Sequence, residues 1–277
     1  MSSSKTLLIT GVSSGFGRAL AQQALEAGHK VVGTVRQPDD LMAFEALHAS
    51  RAFGRRLDVT EWASIDAVVA EIESTVGPID VLVNNAGYGH EGLLEESSMA
   101  DIRRQFDVNV FGGVAMIKAV LPAMRQRRQG RILNITSMGG YITMPGITDY
   151  CGSKFAMVGV SEALGKELRP FNIFVTSVAP GSFRTDWAGR SMVRTPRSIA
   201  DYDASFDPIR KARLEKSGKQ LGDPIKAAAA ILRVIDAEQP PAHLLLGSDA
   251  LELVREQLQA LQRDIDAWES LTRSTDG

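Results

Sequence analysis

The segment TLLITGVSSGFGRAL, residues 6–20, decides the fold. Its first part, Thr6–Thr10, is a run of apolar and β-branched residues that predicts a buried strand. The run leads directly into a turn with Gly11, Gly15 and Gly17, and then into a helical pattern. A strand that turns sharply into a helix needs glycine, because the backbone must adopt conformations that other residues avoid. The segment therefore predicts the first β-turn-α unit of a sheet.

Short apolar runs alternate with longer helical patterns over the rest of the chain. The predicted strands after the first are Val31–Val35, Ala52–Leu57, Ile79–Val83, Arg131–Thr136, Ile173–Val178 and Leu244–Leu246. The predicted helices lie near residues 15–28, 39–48, 61–76, 99–128, 150–169, 222–238 and 249–268. This alternation is typical of a parallel sheet with helices on both faces. We therefore expect an α/β fold with a doubly wound, Rossmann-type parallel sheet, in a single domain that covers residues 1–277.

The least regular stretch of the chain runs from Gly181 to about residue 201. It carries four arginines, Arg184, Arg190, Arg194 and Arg197. Ligands bind beyond the carboxyl ends of the strands in an open parallel sheet, and a long loop after such a strand lies there. We therefore interpret residues 181–201 as a lid-like loop, with a solvated basic loop as the alternative.

Two helical segments have features of their own. Pro122 falls inside the long pattern near residues 99–128, where it predicts a kink or a helix boundary. A C-terminal helical extension over about residues 248–270 carries apolar residues at helical spacing. Such a stripe is typical of a core face or a subunit contact, and no chemistry is assigned to it.

The composition excludes several classes of protein. The 31 basic and 33 acidic side chains leave a net charge of −2, too little to attract nucleic acid or an anionic membrane surface. No apolar run approaches the ~18 residues of a membrane span, and the four scattered histidines predict no metal site. The single cysteine, Cys151, and the absence of a signal-peptide pattern indicate a cytoplasmic protein. The expected partner is a small molecule.

The glycine turn also indicates a ligand. Backbone N–H groups at a helix N-terminus attract anions, and glycines let a diphosphate approach them closely. The spacing G-x-x-x-G-x-G lacks the Gly-Lys-Ser/Thr ending of a P-loop, which argues against an ATPase. At the first β-α turn of an alternating chain, this spacing predicts a dinucleotide site. The expected contacts are Gly11, Ser13, Ser14, Gly15, Phe16 and Gly17.

The end of the second strand indicates which dinucleotide is bound. A carboxylate there accepts hydrogen bonds from the ribose in NAD enzymes, whereas a cation pairs with the additional phosphate of NADP. This strand ends in Thr34-Val35-Arg36, and a guanidinium can form a bidentate contact with phosphate. We therefore expect NADP. Asp39 and Asp40 lie just downstream, and NAD is possible if Arg36 is only a solvated charge.

The short motifs that follow the glycine turn occur in a distinctive order. They are Leu57-Asp58-Val59, Asn84-Asn85-Ala86-Gly87, Asp107-Val108-Asn109-Val110, Ser137 at a strand end, Tyr150-Cys151-Gly152-Ser153-Lys154 and Pro180-Gly181. Together with the glycine turn, this set resembles the short-chain dehydrogenase/reductase family over about residues 5–190. The resemblance implies a nicotinamide cofactor and hydride transfer between that cofactor and a carbonyl or alcohol carbon.

The residues at the centre of this pattern make chemical sense without the resemblance. Tyr150 and Lys154 are four residues apart on a predicted helix and therefore share a face. An ammonium ~4 Å from a phenol, at an effective dielectric constant of ~20, could bring the phenol's pKa down from ~10 toward ~7. We therefore expect Tyr150 to have a lowered pKa and to act as a general acid/base. Ser137 should emerge at the carboxyl edge of the sheet, where it can hold the substrate oxygen.

The resemblance implies further roles for individual residues. Tyr150 and Lys154 would also contact the cofactor, Lys154 through the hydroxyl groups of the nicotinamide ribose. Asn109 would help to hold a chain of water molecules that relays protons. The adenosine end of the cofactor would contact Asp58, Val59, Asn85, Ala86 and Gly87, and the nicotinamide end would contact Pro180 and Gly181.

These observations predict an oxidoreductase that transfers hydride between NADP(H) and a carbonyl or secondary alcohol. Its catalytic residues would be Asn109, Ser137, Tyr150 and Lys154. A dinucleotide-binding sensor on the same fold is the alternative, but such a protein would be expected to have lost one of these four residues. The resemblance also implies a homodimer or homotetramer that assembles through the helices near residues 99–128 and 150–169.

Overall fold

The computed structural model describes residues 4–185, 187, 189 and 191–277. Arg190 of the predicted lid-like loop lies outside these residues. The strands are β1 (Thr6–Thr10), β2 (Lys30–Val35), β3 (Ala52–Arg56), β4 (Val81–Asn84), β5 (Gly89–Glu91), β6 (Gly130–Ile135), β7 (Ile173–Pro180), β8 (Met192–Arg194) and β9 (His243–Leu246). In the described part of the chain, a seven-stranded parallel sheet has the order β3-β2-β1-β4-β6-β7-β9, and β5 pairs with β8 in a second, smaller sheet.

Helices cover both faces of the large sheet. They are α1 (Gly15–Glu26), α2 (Pro38–Glu45), α3 (Trp62–Thr75), α4 (Met99–Phe106), α5 (Gly112–Arg127), α6 (Thr148–Leu168), α7 (Asp203–Glu215), α8 (Pro224–Asp236) and α9 (Ser248–Arg273). Buried residues of α1, α2 and α8 pack on one face of the sheet, and those of α3, α5 and α6 pack on the other. The predicted α/β fold, a doubly wound parallel sheet in a single domain, is confirmed.

The packing of β1 explains why the strands are continuous apolar runs. Leu7 and Ile9 lie in the core beneath α1 and α8, whereas Leu8 lies in the core on the opposite face. All three side chains are fully buried. Because side chains alternate between the two faces of a strand, a strand that is covered on both faces is apolar along most of its length. The buried polar residues of β1, Thr6 and Thr10, lie at its two ends.

The sheet order brings the carboxyl ends of the central strands together. The chain leaves β1 toward β2 and β3 on one side and continues with β4 on the other side, so its direction reverses between β1 and β4. Ligands bind in the crevice at such a switch point. The glycine turn follows β1, Asn85 follows β4 and Ser137 follows β6. All of these residues therefore lie at the same edge of the sheet.

The sequence patterns did not predict β5, β8 or α7. β5 and β8 have three residues each and contain Glu91 and Arg194, whose charges interrupt any apolar run. α7 is polar, contains Pro208 and buries Phe206. The stretch 181–201, expected to be irregular, therefore contains a strand and is followed directly by a helix.

The predicted long helix near residues 99–128 is interrupted. A π-helical turn, Asp107–Phe111, separates α4 from α5, and Pro122 lies inside α5 instead of at a boundary. By length and composition alone, the run Met99–Arg127 could cross a membrane, so the expectation that no run approaches this length is wrong. A helix that packs on a sheet meets the same criteria, and α5 buries Met116 and Val120 against this sheet.

Candidate active site

The glycine turn has a backbone that admits a ligand closely. Gly11 and Gly15 have φ angles of +72° and +59°, in the left-handed region that favours glycine. A Cβ atom at Gly17 would lie 2.2 Å from the carbonyl oxygen of Gly11. Gly17 therefore lets α1 pack directly against the turn, which is the task of the third glycine in dinucleotide-binding turns.

The residues that follow β4 hold this turn in place. The side-chain amide of Asn85 donates hydrogen bonds to the carbonyl oxygens of Thr10 (2.9 Å) and Gly11 (2.8 Å). The backbone N–H groups of Asn85 and Ala86 each donate to Thr10 Oγ1 at 3.0 Å. The predicted cofactor contacts of Asn85 and Ala86 stay predictions, and the structure gives both residues a supporting role besides. The role of Thr10 was not predicted from the sequence, because a threonine at a strand end forms no distinctive pattern.

The start of α1 suits an anionic group. Ser14 is extended at the N-cap, but its side chain makes no capping hydrogen bond, and the first turn of α1 contains no acidic residue. No protein charge in that turn therefore neutralises the positive end of the helix dipole. A Cβ atom at Gly15 would approach Thr185 at 3.9 Å and nothing nearer, so the backbone is open. These features fit the diphosphate of a dinucleotide, and contacts from Ser13 and Phe16 stay predictions.

Arg36 and Asp58 are neighbours at the expected adenosine end. The Arg36 side chain is exposed and forms no hydrogen bond or ion pair with the residues that the structure describes. Burial raises the pKa of Asp58, but hydrogen bonds from Thr60 and the charges of Arg36 and Arg104 outweigh burial, so this pKa is lowered. Val59 is buried. Two arginines therefore supply positive potential at this end of the site.

Tyr150 and Lys154 lie one turn apart near the start of α6, and both are buried. Lys154 Nζ lies 5.6 Å from the centre of the Tyr150 ring and donates a 2.9 Å hydrogen bond to the carbonyl oxygen of Ile135. Ser137 follows β6, and its hydroxyl accepts a 3.0 Å hydrogen bond from Gly139 N. A Cβ atom at Gly139 would lie 3.4 Å from both Ser137 Oγ and the Tyr150 ring. The structure therefore brings Ser137, Tyr150 and Lys154 together.

The pKa values of this group differ from the expectation. Burial raises the pKa of Tyr150, and the lowering by the Ser137 hydroxyl is smaller. Burial also lowers the pKa of Lys154 to about 8. The prediction that Tyr150 has a lowered pKa is therefore wrong for the protein without a bound cofactor. Desolvation of the buried phenol, which the prediction from spacing did not include, raises this pKa. At neutral pH the phenol is protonated, and Lys154 is mostly charged.

Asn109 lies in the middle of the π-helical turn and is buried. Its side chain donates hydrogen bonds to Tyr88 O (3.0 Å) and Ser153 Oγ (3.3 Å), and accepts one from Tyr88 N at 3.1 Å. Gly87 packs against it, since a Cβ atom there would lie 3.1 Å from Asn109 Oδ1. A small cavity of about 10 Å³ lies between Asn109 and Lys154. Its size and polar lining suit one water molecule, and the implied proton relay stays a prediction.

The C-terminal helix reaches the site at the end of β7. Pro180 ends this strand, and a Cβ atom at Gly181 would lie 2.1 Å from Asp249 Oδ1 in the first turn of α9. Asp249 Oδ2 also accepts a 2.7 Å hydrogen bond from Ser182 N. Asp249 therefore positions the loop that follows the strand. This role of Asp249 was not predicted from the sequence, because acidic residues are common in the first turn of any helix.

A buried carboxylate anchors the predicted lid-like loop. The side chain of Glu91 is fully buried and forms ion pairs with Arg194 (3.6 Å), Arg210 (3.3 Å) and Arg213 (3.1 Å). These arginines come from β8 and α7, so charge pairing holds both elements against β5. The role of Glu91 was not predicted from the sequence, because its neighbours give no sign that this carboxylate is buried.

A second buried carboxylate, that of Glu96, acts in the same way. It forms a 3.0 Å ion pair with Arg197 and accepts 2.8 Å hydrogen bonds from the backbone N–H groups of Ser198 and Ile199. Arg184 pairs with Asp223 at 3.5 Å. The described arginines of the loop are therefore paired with acids, whereas the opening of the loop as a lid stays a prediction.

His90 connects this region to the catalytic helix. It is buried; its Nδ1 lies 2.6 Å from Asp149 Oδ2, and its Nε2 lies 2.9 Å from Thr195 Oγ1. Asp149 directly precedes Tyr150 in α6. The hydrogen bond with Asp149 raises the pKa of His90 and outweighs burial, which lowers it. A protonated His90 therefore strengthens the contact between β5 and the start of α6.

Replacing His90 with glutamine is expected to cost more stability in acid than in alkaline solution. A histidine whose pKa is raised by folding contributes stability that is complete below its unfolded pKa of ~6.5 and is lost as the pH rises through the folded-state pKa. Chemical denaturation of the wild type and the variant over a range of pH will measure this difference in unfolding free energy.

His29 provides a control of opposite sign. Burial lowers the pKa of His29. As the pH falls below ~6.5, the unfolding free energy of the wild type should therefore decrease relative to that of His29→Gln. A difference for His90→Gln that does not change with pH would contradict the assigned charge pair.

Comparison with known protein families places the chain. The model of the short chain dehydrogenase family matches residues 5–193. A 3-ketodihydrosphingosine reductase of Bacteroides thetaiotaomicron is 40% identical over 243 residues, 87% of each chain. Oxidoreductase BOA17 of Botryotinia fuckeliana is 35% identical over 97% of this chain and 98% of its own. Human retinol dehydrogenase 8 is 38% identical over 86% of this chain and 79% of its own.

Solved structures agree with this placement. A short-chain dehydrogenase from Streptomyces avermitilis has a TM-score of 0.92 and 39% identity, over 99% of this chain and 100% of its own. ElxO with NADP bound has a TM-score of 0.75 and 25% identity, over 90% of this chain and 100% of its own. A short-chain dehydrogenase/reductase from Burkholderia phymatum in complex with NAD has a TM-score of 0.81 and 27% identity, over 94% of this chain and 95% of its own. The chain therefore belongs to the short-chain dehydrogenase/reductase family and is an NAD(P)-dependent oxidoreductase that acts on CH–OH groups and their carbonyl counterparts.

Proposed function

We propose that the protein uses NADP(H) and reduces the carbonyl group of an apolar ketone, with the oxidation of the secondary alcohol as the reverse reaction. The observation that carries this proposal is the meeting of Ser137, Tyr150 and Lys154 at the sheet edge that also holds the glycine turn. A raised pKa keeps the Tyr150 phenol protonated at neutral pH. This is the form in which a general acid gives a proton to a carbonyl oxygen.

Each residue of this group has a separate task. Bound NADPH supplies the hydride. Ser137 donates a hydrogen bond that orients the substrate oxygen, and Tyr150 donates the proton that this oxygen takes up. The ammonium of Lys154 stabilises the phenolate that remains. Asn109 borders the small polar cavity next to Lys154, through which a water molecule can return a proton.

The surroundings of Tyr150 favour an apolar substrate. Ile147 and Cys151 are buried against Tyr150, and Met144 and Trp187 pack on the same cluster. The rings of Tyr150 and Trp187 are 5.1 Å apart. Such a lining suits a ketone with aliphatic or aromatic substituents. The names of two relatives, a 3-ketodihydrosphingosine reductase and a retinol dehydrogenase, support the same class.

NADP is the preferred cofactor in this proposal, because Arg36 is exposed at the adenosine end and forms no hydrogen bond or ion pair with the described residues. In calorimetric titrations, NADPH should bind the wild type at least about tenfold more tightly than NADH, since a charge-assisted contact to phosphate is worth ~1.5–3 kcal/mol. Arg36→Ala should remove most of this preference by weakening NADPH binding, with NADH binding unchanged. Equal affinities in the wild type would refute the preference for NADP.

We further propose that the protein forms a homodimer or homotetramer through α4, α5 and α6, in the cytoplasm. Exposed apolar residues on or beside these helices support the contact, namely Met99, Phe111 and Phe155. The low cysteine content supports the location, because disulfides are common in secreted proteins and the single cysteine, Cys151, has no second cysteine in the chain with which to form one.

A further inference from the structure

The C-terminal helix α9 extends away from the rest of the protein. It buries Ala250 and Val254 near its start, and almost every residue after Val254 is exposed. At 1.5 Å per residue, the exposed part from Arg255 to Arg273 is about 28 Å long. In proteins, most of the stability of a helix comes from the packing of its apolar face against other elements. Within the described part of the chain, the exposed part of α9 has almost no such packing.

Helix α9 carries an apolar stripe with a heptad repeat, which begins in its anchored first turns and continues along the exposed part. The residues Leu251, Val254, Leu258, Leu261, Ile265 and Trp268 follow each other at spacings of three and four. This is the a and d pattern of a coiled coil, sustained over the length of the helix. The last four of these side chains are between 51% and 64% exposed. A seam of this kind is complete only when a second helix lies along it.

We propose that this seam pairs with α9 of a second copy of the chain in an antiparallel coiled coil. In that arrangement Leu258 can lie opposite Trp268 of the partner subunit, and Leu261 opposite Ile265 of the partner subunit. The core layers of this coiled coil then consist of the exposed seam residues. The rest of one subunit lies at one end of the paired helices, and the rest of the partner subunit lies at the other end. The proposed interface is separate from α4, α5 and α6 and does not depend on the assigned chemistry.

The flanking charges select the antiparallel orientation. The e positions next to the seam are Arg255, Gln262 and Glu269, and one g position is Asp264. An antiparallel pair places Arg255 opposite Glu269 of the partner subunit at both ends, which gives two attractive contacts. It also brings Asp264 beside Asp264 of the partner subunit at the centre, which gives one repulsive contact. A parallel pair would place Asp264 opposite Glu269 of the partner subunit, and these two charges repel each other.

The charge of α9 also argues against a membrane surface as the occupant of the seam. The helix contains six acidic residues, Asp249, Glu252, Glu256, Asp264, Asp266 and Glu269, and three basic ones, Arg255, Arg263 and Arg273. Helices that lie on anionic membranes are rich in lysine and arginine. The acidic excess of α9 would weaken such binding, whereas it does not hinder pairing through an apolar seam.

The first test changes the seam and measures molecular mass. The double substitution Leu261→Glu and Ile265→Glu places charges in the seam, and sedimentation equilibrium should then give half the assembly mass of the wild type. The matched control, Gln259→Glu with Ser270→Glu, adds the same two charges away from the seam and should keep the wild-type mass. If the seam variant and the wild type had the same assembly mass, the proposal would be overturned. The same holds if the wild type stayed unpaired and its seam bound to vesicles instead.

The second test reverses the flanking charges and needs no change in the seam. Glu269→Arg should weaken the association of an antiparallel pair, because it places two arginines opposite each other, and Arg255→Glu should weaken it as well. Combining both substitutions should restore wild-type association. In a parallel pair, Glu269→Arg would strengthen association by facing Asp264, so that result would overturn the proposed orientation. Circular dichroism at matched concentrations checks that each variant folds.

Discussion

Replacing Tyr150 with phenylalanine is expected to lower kcat by about 10²- to 10⁴-fold, the usual contribution of a positioned general acid. The substitution removes one oxygen from a buried site and leaves the ring, which packs against Trp187. Folding and the affinity for NADPH should therefore change little. Steady-state kinetics with a ketone, together with calorimetric binding of NADPH, will separate the loss of chemistry from a loss of binding.

Tyr202→Phe is the matched control for this experiment. The Tyr202 hydroxyl donates a 2.8 Å hydrogen bond to Glu95 at the surface, away from Ser137 and Lys154. Its removal deletes the same atom and should leave kcat close to the wild-type value. A Tyr150→Phe protein that keeps most of the wild-type turnover would show that another group supplies the proton.

Replacing Gly17 with alanine is expected to disrupt the dinucleotide site. The added Cβ atom would lie 2.2 Å from the carbonyl oxygen of Gly11 and 2.5 Å from the Asn85 amide nitrogen, so α1 must move away from the turn. Overpacking of this kind costs ~1–3 kcal/mol, which corresponds to an increase in the Kd for NADPH of about 5- to 150-fold if the strain is relieved at the turn. Calorimetry and thermal unfolding with and without NADPH will measure both effects.

Gly159 on α6 provides the control. A Cβ atom there meets nothing within 4 Å, so Gly159→Ala should leave NADPH binding unchanged and stabilise the helix by up to ~1 kcal/mol. If Gly17→Ala bound NADPH as tightly as the wild type, the glycine turn would not be the dinucleotide site.

Much of the fold could be predicted, because its signals are local. The central strands of the large sheet are buried on both faces, so apolar residues dominate them, as Leu7, Leu8 and Ile9 do in β1. The glycine turn and the pair Tyr150 and Lys154 lie in short motifs, whose positions in the fold follow from the order of the strands. Ser137 was placed at the correct edge for the same reason.

The remaining features depend on contacts between distant parts of the chain. Glu91 pairs with Arg210 and Arg213, and nothing near Glu91 in the sequence distinguishes a buried carboxylate from a solvated one. β5 and β8 exist because they pair with each other, not because either is apolar. The pKa of Tyr150 was misjudged for a related reason. Spacing along α6 gives the distance to Lys154, but the desolvation of the phenol depends on everything that packs around it.

Mixing the protein with NADPH and a panel of apolar ketones tests most directly whether this site performs proton-coupled hydride transfer. The near-ultraviolet absorbance of NADPH should fall with at least one ketone, and one molecule of secondary alcohol should form for each NADPH consumed. The same mixture with the Tyr150→Phe protein should bind NADPH and consume almost none. A wild-type protein that binds NADPH tightly but turns over no ketone in the panel, and oxidises none of the corresponding alcohols with NADP⁺, would contradict the assignment and indicate a dinucleotide-binding sensor instead.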